Sequence, residues 1–377
     1  MAVREVHMVL PGQVHSPGSP SGGDIFDRRL CQGLAGTWSV REHPVAGAWP
    51  RPGPEGHEEL ARTLAGLPDG AVVLLDGLVG CAAPEVLRAQ AGRLRLVVLV
   101  HLPLGDETGR PADQAAELDA GEREALRAAA AVVATSAWTA RRLVGHHGLP
   151  PDRVHVATPG VDPAPPAAGT DGASRMLCVA AVTPLKAQDL LVEALAAVTD
   201  QRWTCRCVGA VDRAPGYVDR LRHTIGAHRL TRRVRLVGPL TGADLAAEYA
   251  AADLVVLPSR AEAYGMVVTE ALARGVPVLA TDVGGVREAL GRAPDGQLPG
   301  LLVPPGDPDA LAAALRRWLT DPGTRWRLRR AAYARREALP DWRATAATVA
   351  GVLAGVVAGT AGPDPVASPG PVAQGPA

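Results

Sequence analysis

Short apolar runs alternate along the chain with segments whose apolar positions recur at helical spacing. VHMVL (6–10), AVVLLDG (71–77) and RLVVLVHLPLG (95–105) are nearly continuous and rich in β-branched residues. Such runs read as strands of a parallel sheet covered by helices on both faces. AVVATSAWTARRLVGHHG (131–148) reads as a strand, a Ser136 N-cap and a helix stopped at Gly148. The stretch 159–174 (PGVDPAPPAAGTDGAS) has no period and is rich in Pro, Gly and Ala, the signature of a linker. The alternation then restarts. Strands are expected in RMLCVAAV, TCRCVGAV, RVRLVGPL, DLVVLPS and PVLATDVGG, with helices in AQDLLVEALAAV, GYVDRLRHTIGAHRL, GADLAAEYAAA and MVVTEALARG between them.

The pattern predicts an α/β chain of two doubly wound, Rossmann-like parallel-sheet domains facing each other across a cleft. The expected bounds are 1–160 for the first domain, 161–174 for the linker and 175–340 for the second domain. A C-terminal helix over 341–358 crosses back onto the first domain, and 359–377 forms a disordered tail of Pro, Gly and Ala. The uncharged stretch 344–362 is long enough to suggest a membrane span, but its Ala, Gly and Thr content favours a packing helix.

Composition narrows the function. At 377 residues the chain exceeds one ordinary core. Its net charge is zero and its aromatic content 3%, which argues against nucleic-acid binding. The five cysteines have no framework spacing, and Cys205 and Cys207 read as small buried hydrophobes on one strand face. The adjacent His146 and His147 are expected to point apart on a helix and so make a poor metal pair, and no metal is implied. No N-terminal apolar run has the length of a signal peptide, so a cytoplasmic protein is expected. Peripheral contact with the inner face of the membrane stays open, although no basic amphipathic helix commits the chain to it. Of the 39 basic residues, Lys186 is the sole lysine, a point charge where the rest of the chain uses arginine.

Residues 257–290 carry the strongest chemical signal. A strand ends at Pro258, a loop carries Glu262, and a helix opens near Gly265 and closes before Gly275. The amides of Gly265, Met266 and Val267 form an anion cradle at the helix start. Glu262 and Glu270 flank it, and carboxylates are good acceptors for hydroxyl groups. Amides for phosphate beside carboxylates for hydroxyls suggest a ligand with both phosphates and sugars.

SRAEAYGMVVTEALARGVPVLATDVGG resembles the signature of retaining glycosyltransferases of the GT-B fold, family 4 (glycosyltransferase group 1), whose two glutamates are separated by seven residues, here Glu262 and Glu270. AVVATSAWTARRLVGHHGLPPDRVHVATPGVD, AAVTPLKAQDLLVEAL, GLLVPPGDPDALAAAL and DWRATAATVAGVL extend the resemblance over most of the chain. It implies transfer of a sugar, a hexose in particular, from a UDP- or GDP-linked donor to an acceptor hydroxyl. Anomeric configuration is retained, and neither metal nor cofactor takes part. Lys186 falls on the lysine that meets the donor diphosphate. Glu270 falls on the residue that holds the ribose hydroxyls, and Glu262 on one that binds the transferred sugar. Gly22 and Gly23 resemble the family's glycine pair, and His101 a histidine near the developing oxocarbenium centre. The acceptor, whether glycan, lipid or small molecule, and the oligomeric state stay open.

One departure stands out. Where the family carries an arginine five residues before the lysine, this chain has Ala181. Arg260 and Arg213 are the candidate substitutes. The alternative is a non-catalytic nucleotide-sugar binder or an inactive partner subunit. An oxidoreductase is disfavoured because no G-x-G-x-x-G follows the first strand.

Overall fold

The computed structural model describes residues 4–12, 21–106 and 111–359. The tail expected from 359 onward lies, beyond Gly359, outside the described residues. In chain order the first domain holds β1 (Arg4–Pro11), α1 (Gly22–Leu34), β2 (Trp38–Val45), α2 (Gly53–Ala65), β3 (Val72–Asp76), α3 (Gly77–Gly80), α4 (Pro84–Gln90), β4 (Arg95–Val100), α5 (Ala112–Ala128), β5 (Ala131–Ala134), α6 (Ala137–His147) and β6 (Val154–Val156). The second holds β7 (Arg175–Val179), α7 (Gln188–Ala196), β8 (Thr204–Val208), α8 (Pro215–Ala227), β9 (Val234–Gly238), α9 (Gly242–Ala250), β10 (Leu254–Leu257), α10 (Met266–Ala273), β11 (Val278–Thr281), α11 (Val286–Leu290), β12 (Gly300–Val303), α12 (Pro308–Thr320) and α13 (Pro322–Arg335), and α14 (Trp342–Ala358) follows.

Each domain is a six-stranded sheet, ordered β2-β1-β3-β4-β5-β6 in the first and β12-β11-β10-β7-β8-β9 in the second, with every pairing parallel. The central strands are apolar on both faces because helices cover both, and every residue of β3, β5, β10 and β11 is buried. The edge strand β2 keeps a polar pattern and only its ends are buried. In each sheet the strand order reverses once, between β1 and β3 and between β7 and β10. A crevice opens at the carboxyl ends of the strands at such a switch point.

Helix α14 leaves the second domain and lies on the first. Ala346, Val349, Val352 and Leu353 pack with Met8, Phe26, Leu30 and Leu34 of β1 and α1. Its small residues suit close packing, and no helix among the described residues is long and apolar enough to cross a membrane. Cys178, Cys205 and Cys207 are buried in the second core.

One expectation changes. His146 and His147 do not point apart: their rings lie 4.8 Å from one another at the end of α6, where His146 meets Asp119 at 2.6 Å and His147 meets Glu122 at 3.0 Å. Helix α13 carries five arginines and no carboxylate, and its Trp326 and Tyr333 are exposed. Its arginines are spread around the helix, so the sequence shows no amphipathic stripe.

Candidate active site

Side chains that follow the switch-point strands meet in the crevice. After β1, Ser21 caps α1 in a reciprocal box with Asp24, and Gly22 and Gly23 form the first turn. A Cβ on Gly22 would lie 3.7 Å from Met266 Sδ of the second domain, so the two cleft walls approach here. A Cβ on Gly23 would come within 3.2 Å of the His101 ring, which explains why this turn is bare.

His101 follows β4. Its Nε2 lies 2.9 Å from Asp27 Oδ1 and 3.7 Å from Asp76 Oδ2, and its ring meets Phe26 edge-on. Asp27 and Asp76 are both buried. Asp76 Oδ1 accepts the Leu78 amide at 2.5 Å and so caps α3, while Asp27 Oδ2 has no hydrogen-bond partner. Burial pushes the Asp27 carboxyl up to about 7, and burial plus the neighbouring Asp27 raises Asp76 well above the usual carboxylate range. Burial lowers His101. The first wall therefore holds more carboxyl groups than positive charge and keeps a proton among them.

The second wall is built differently. Lys186 sits in the turn between β7 and α7, and its Nζ lies 2.7 Å from Glu262 Oε1, which also accepts the Ser259 hydroxyl at 2.7 Å. The Glu262 loop is clamped by the turn after β11. Gly285 N donates to Glu262 O at 3.1 Å, and a Cβ on Gly284 (φ +54°) would fall 1.7 Å from that carbonyl. Helix α10 starts at Gly265 (φ +91°) with no side chain capping it, which leaves its first-turn amides, including Met266 and Val267, aimed at the crevice.

The two signature glutamates have different partners. Glu270 accepts the Tyr249 hydroxyl at 2.6 Å, and burial raises its carboxyl while that hydrogen bond opposes the rise. Both candidate substitute cations lie on loops of the second domain. Arg260 is bound in a fork to Asp189 at 2.7 and 3.1 Å and to the Pro184 carbonyl, and it lines a groove between α7 and α8 with Tyr217 and Arg220. Arg213 is exposed on the loop between β8 and α8.

Sequence reasoning missed Asp27, although a lone acid on the buried stripe of Phe26, Leu30 and Leu34 was a readable signal. It also missed Glu288. Both Glu288 oxygens, at 2.9 and 3.1 Å, accept the Ala137 amide at the start of α6 across the cleft. No sequence pattern marks a partner that is a backbone amide of the other domain.

Two facing parallel-sheet domains, with an uncapped helix start and a lysine–glutamate pair after the switch-point strands, have the GT-B architecture. Residues 168–335 match the family described as Glycosyl transferases group 1, and residues 74–165 match Glycosyltransferase Family 4. The chain belongs to the group 1 glycosyltransferases. It is 37% identical over 249 residues to the D-inositol 3-phosphate glycosyltransferase of Kineococcus radiotolerans, covering 60% of this chain and 57% of that protein. It is 34% identical to the enzyme of the same name from Streptosporangium roseum, covering 67% and 60%. The matches thus span less than two thirds of these relatives. Among solved structures, sucrose-phosphate synthase from Thermosynechococcus elongatus superposes with a TM-score of 0.78 at 24% identity, over 95% of this chain and 100% of that one. Anabaena Alr3699/HepE in complex with UDP-glucose superposes with 0.73 at 19%, over 93% and 99%. These two likenesses concern the fold.

Proposed function

We propose that the protein transfers a sugar, a hexose in particular, from a UDP- or GDP-linked donor to an acceptor hydroxyl, with retention and without a metal ion. The observation that carries this reading is the Lys186–Glu262 pair, held at 2.7 Å beside the uncapped start of α10 and across the cleft from the Gly22 turn. In it a cation for diphosphate and an acceptor for sugar hydroxyls neutralise each other until a ligand supplies both complements. The structure of Alr3699/HepE with UDP-glucose supports a nucleotide-sugar donor, and the names of the curated relatives make a cyclitol phosphate the first acceptor to try.

The diphosphate would meet Lys186 and the amides of Met266 and Val267, where charge grows as the nucleoside diphosphate leaves. Glu270 and Glu262 would accept from ribose and sugar hydroxyls. The sugar would then point at His101. A departing phosphate oxygen on the attacked face would take the acceptor proton, which gives retention without a separate base. A second reading, a binder without turnover, is favoured by Ala181 and by the capture of Arg260 by Asp189.

The test is calorimetric titration with UDP, GDP, ADP and TDP, with Lys186→Ala and Glu270→Ala in parallel, followed by proton NMR of product formed from the donor that binds. One nucleotide bound, lost in both variants, with an axial-to-axial product, supports transfer with retention. Binding without turnover of any sugar or water leaves the binder reading, and no binding by any nucleotide overturns both. Chelator-insensitive turnover supports the metal-free step.

A further inference from the structure

Among the described residues two groups of three side chains bring donor atoms close enough to share one metal ion. One is Asp27, Asp76 and His101 in the crevice. The other, Asp119, His146 and His147, joins the middle of α5 to the last turn of α6, with one donor atom from each side chain within 4.8 Å of the others. Helix α6 begins at the crevice with Ala137, and its 11 residues carry this second group about 16 Å from there.

His147 is the member that hydrogen bonding alone does not explain. Its side chain is 1% exposed, and its Nδ1 has no hydrogen-bond partner among the described residues. A buried ring nitrogen left bare is unfavourable unless a ligand takes it. The other nitrogen is fixed. Nε2 donates to Glu122 Oε2 at 3.0 Å, while Glu122 Oε1 accepts the Leu104 amide at 3.2 Å. A carboxylate that holds one imidazole nitrogen selects the tautomer whose lone pair lies on the other, the arrangement that prepares a histidine for a metal. Arg127 fixes the backbone here by donating to the His147 carbonyl at 3.1 Å. His146 and Asp119 supply the rest. His146 Nε2 lies 2.6 Å from Asp119 Oδ1, and Asp119 Oδ2 accepts from Arg123 at 3.2 Å, so the acid is held from behind and keeps one oxygen for the cluster. These two side chains are 35% and 22% exposed, so an ion reaches them from solvent.

We propose that His147 Nδ1, His146 and Asp119 bind a divalent transition-metal ion of the zinc type, with water completing the shell and Glu122 and Arg123 as outer partners. Two imidazoles and one carboxylate suit zinc, whereas magnesium and calcium prefer oxygen donors. Donors around a four-coordinate zinc stand about 3.4 Å apart, so the set must close by roughly 1 Å, which rotation of the part-exposed His146 and Asp119 supplies. The ion would clasp α5 to α6 beside the Leu104 segment that follows His101. It would take no part in sugar transfer, and the site stands whether or not the proposed transfer is right.

The test is calorimetric titration of zinc chloride into the chelator-washed full chain, with thermal melting alongside. About one equivalent per chain should bind with a micromolar or tighter Kd, and zinc at about a hundredfold above Kd should raise the melting temperature by about 5 °C. His146→Ala and Asp119→Asn change part-exposed side chains, so the zinc-free variants should melt close to the parent and bind zinc at least about tenfold more weakly. Glu122→Gln leaves all three ligands in place and should weaken binding about tenfold through the orientation of His147. His228→Ala, at the exposed His228–Glu193 pair of the second domain, is the control that should bind as the parent does. No binding by the parent, or equal binding by His146→Ala and Asp119→Asn, overturns the proposal. Zinc lost in His101→Ala but kept in His146→Ala places the ion in the crevice and overturns it as well. So does magnesium that displaces zinc at equal concentration, which marks an unselective acidic surface.

Discussion

The two walls of the crevice solve opposite electrostatic problems. The second-domain wall balances its charges in pairs: Lys186 with Glu262, Arg260 with Asp189. The first-domain wall crowds Asp27 and Asp76 around His101, with one oxygen of Asp27 left without a partner. A paired wall is suited to exchanging one set of charges for another, as binding a diphosphate requires. A crowded acidic wall is suited to fixing where a proton sits, since two close buried carboxylates cannot both ionise cheaply. On the proposed function, this difference would put donor binding on the second domain and control of the reacting end of the sugar on the first.

The largest expected effect separates the walls directly. Lys186→Ala removes the cation paired with Glu262 and leaves that carboxylate buried without it. We expect kcat/KM to fall about 10³-fold, roughly 4 kcal/mol of lost transition-state stabilisation, with weaker nucleotide binding. If Lys186→Ala binds nucleotide as the parent does, the donor is not held by this wall. Next comes Gly284→Ala. The added methyl meets the Glu262 carbonyl at 1.7 Å in a backbone conformation with φ +54°. The Glu262 loop must shift, and we expect a loss of about 2–4 kcal/mol of stability together with donor affinity. Thermal melting and nucleotide titration read the two effects. A stable variant with intact binding would mean that the clamp does not position Glu262.

Much of this arrangement was legible in the chain. The strands around both switch points carried nearly continuous apolar runs, the Ser136 cap and the Gly148 stop stood where α6 begins and ends, and the seven-residue gap between Glu262 and Glu270 marked the α10 start. Partners were not legible. That Lys186 closes on Glu262, that Glu270 turns to Tyr249 and that Asp189 captures Arg260 depend on loop approaches over 20 to 80 residues, which local periodicity does not encode. Asp27 shows the other limit. Its place on a buried helical stripe was readable, but its proximity to Asp76 and His101 arises only when β1, β3 and β4 stand side by side.

A third prediction tests the first wall. The Asp27 carboxyl is raised from its ordinary 3.8 to about 7, first by burial. A group raised on folding contributes stability that is present below the unfolded value and lost as pH rises through the folded one. Between pH 3.8 and about 7 this contribution should therefore fall away. Asp27→Asn keeps the shape and cannot ionise, so its melting temperature should drop less between pH 5 and 8 than the parent's, by roughly 5 °C. Asparagine also changes the partner of His101 Nε2. We expect kcat to fall about tenfold and its inflection near pH 7 to vanish, with nucleotide affinity unchanged. Loss of nucleotide affinity in this variant would erase the division of labour between the walls.

The smallest effect concerns how the walls are held together. The first amides of α6 have no partners within their helix. The Ser136 hydroxyl takes that of Thr139, while Glu288 of α11 takes that of Ala137 from the opposite domain. A carboxylate at a helix start gains from both the hydrogen bond and the dipole, together about 1 kcal/mol. Burial raises Glu288, and the α6 amides oppose that rise, so opening the crevice exposes the carboxylate to water and removes its amide partners at once. Glu288→Gln keeps one acceptor but loses the charge. It should weaken closure without touching any group that meets the donor. Donor KM should rise about two- to fivefold, and the ratio of donor hydrolysis to transfer should increase, while the melting temperature moves little. Glu288→Ala should exaggerate both changes. An unchanged hydrolysis ratio in both variants would show that the bridge follows closure and does not hold it, and the two walls would then meet only through the ligand between them.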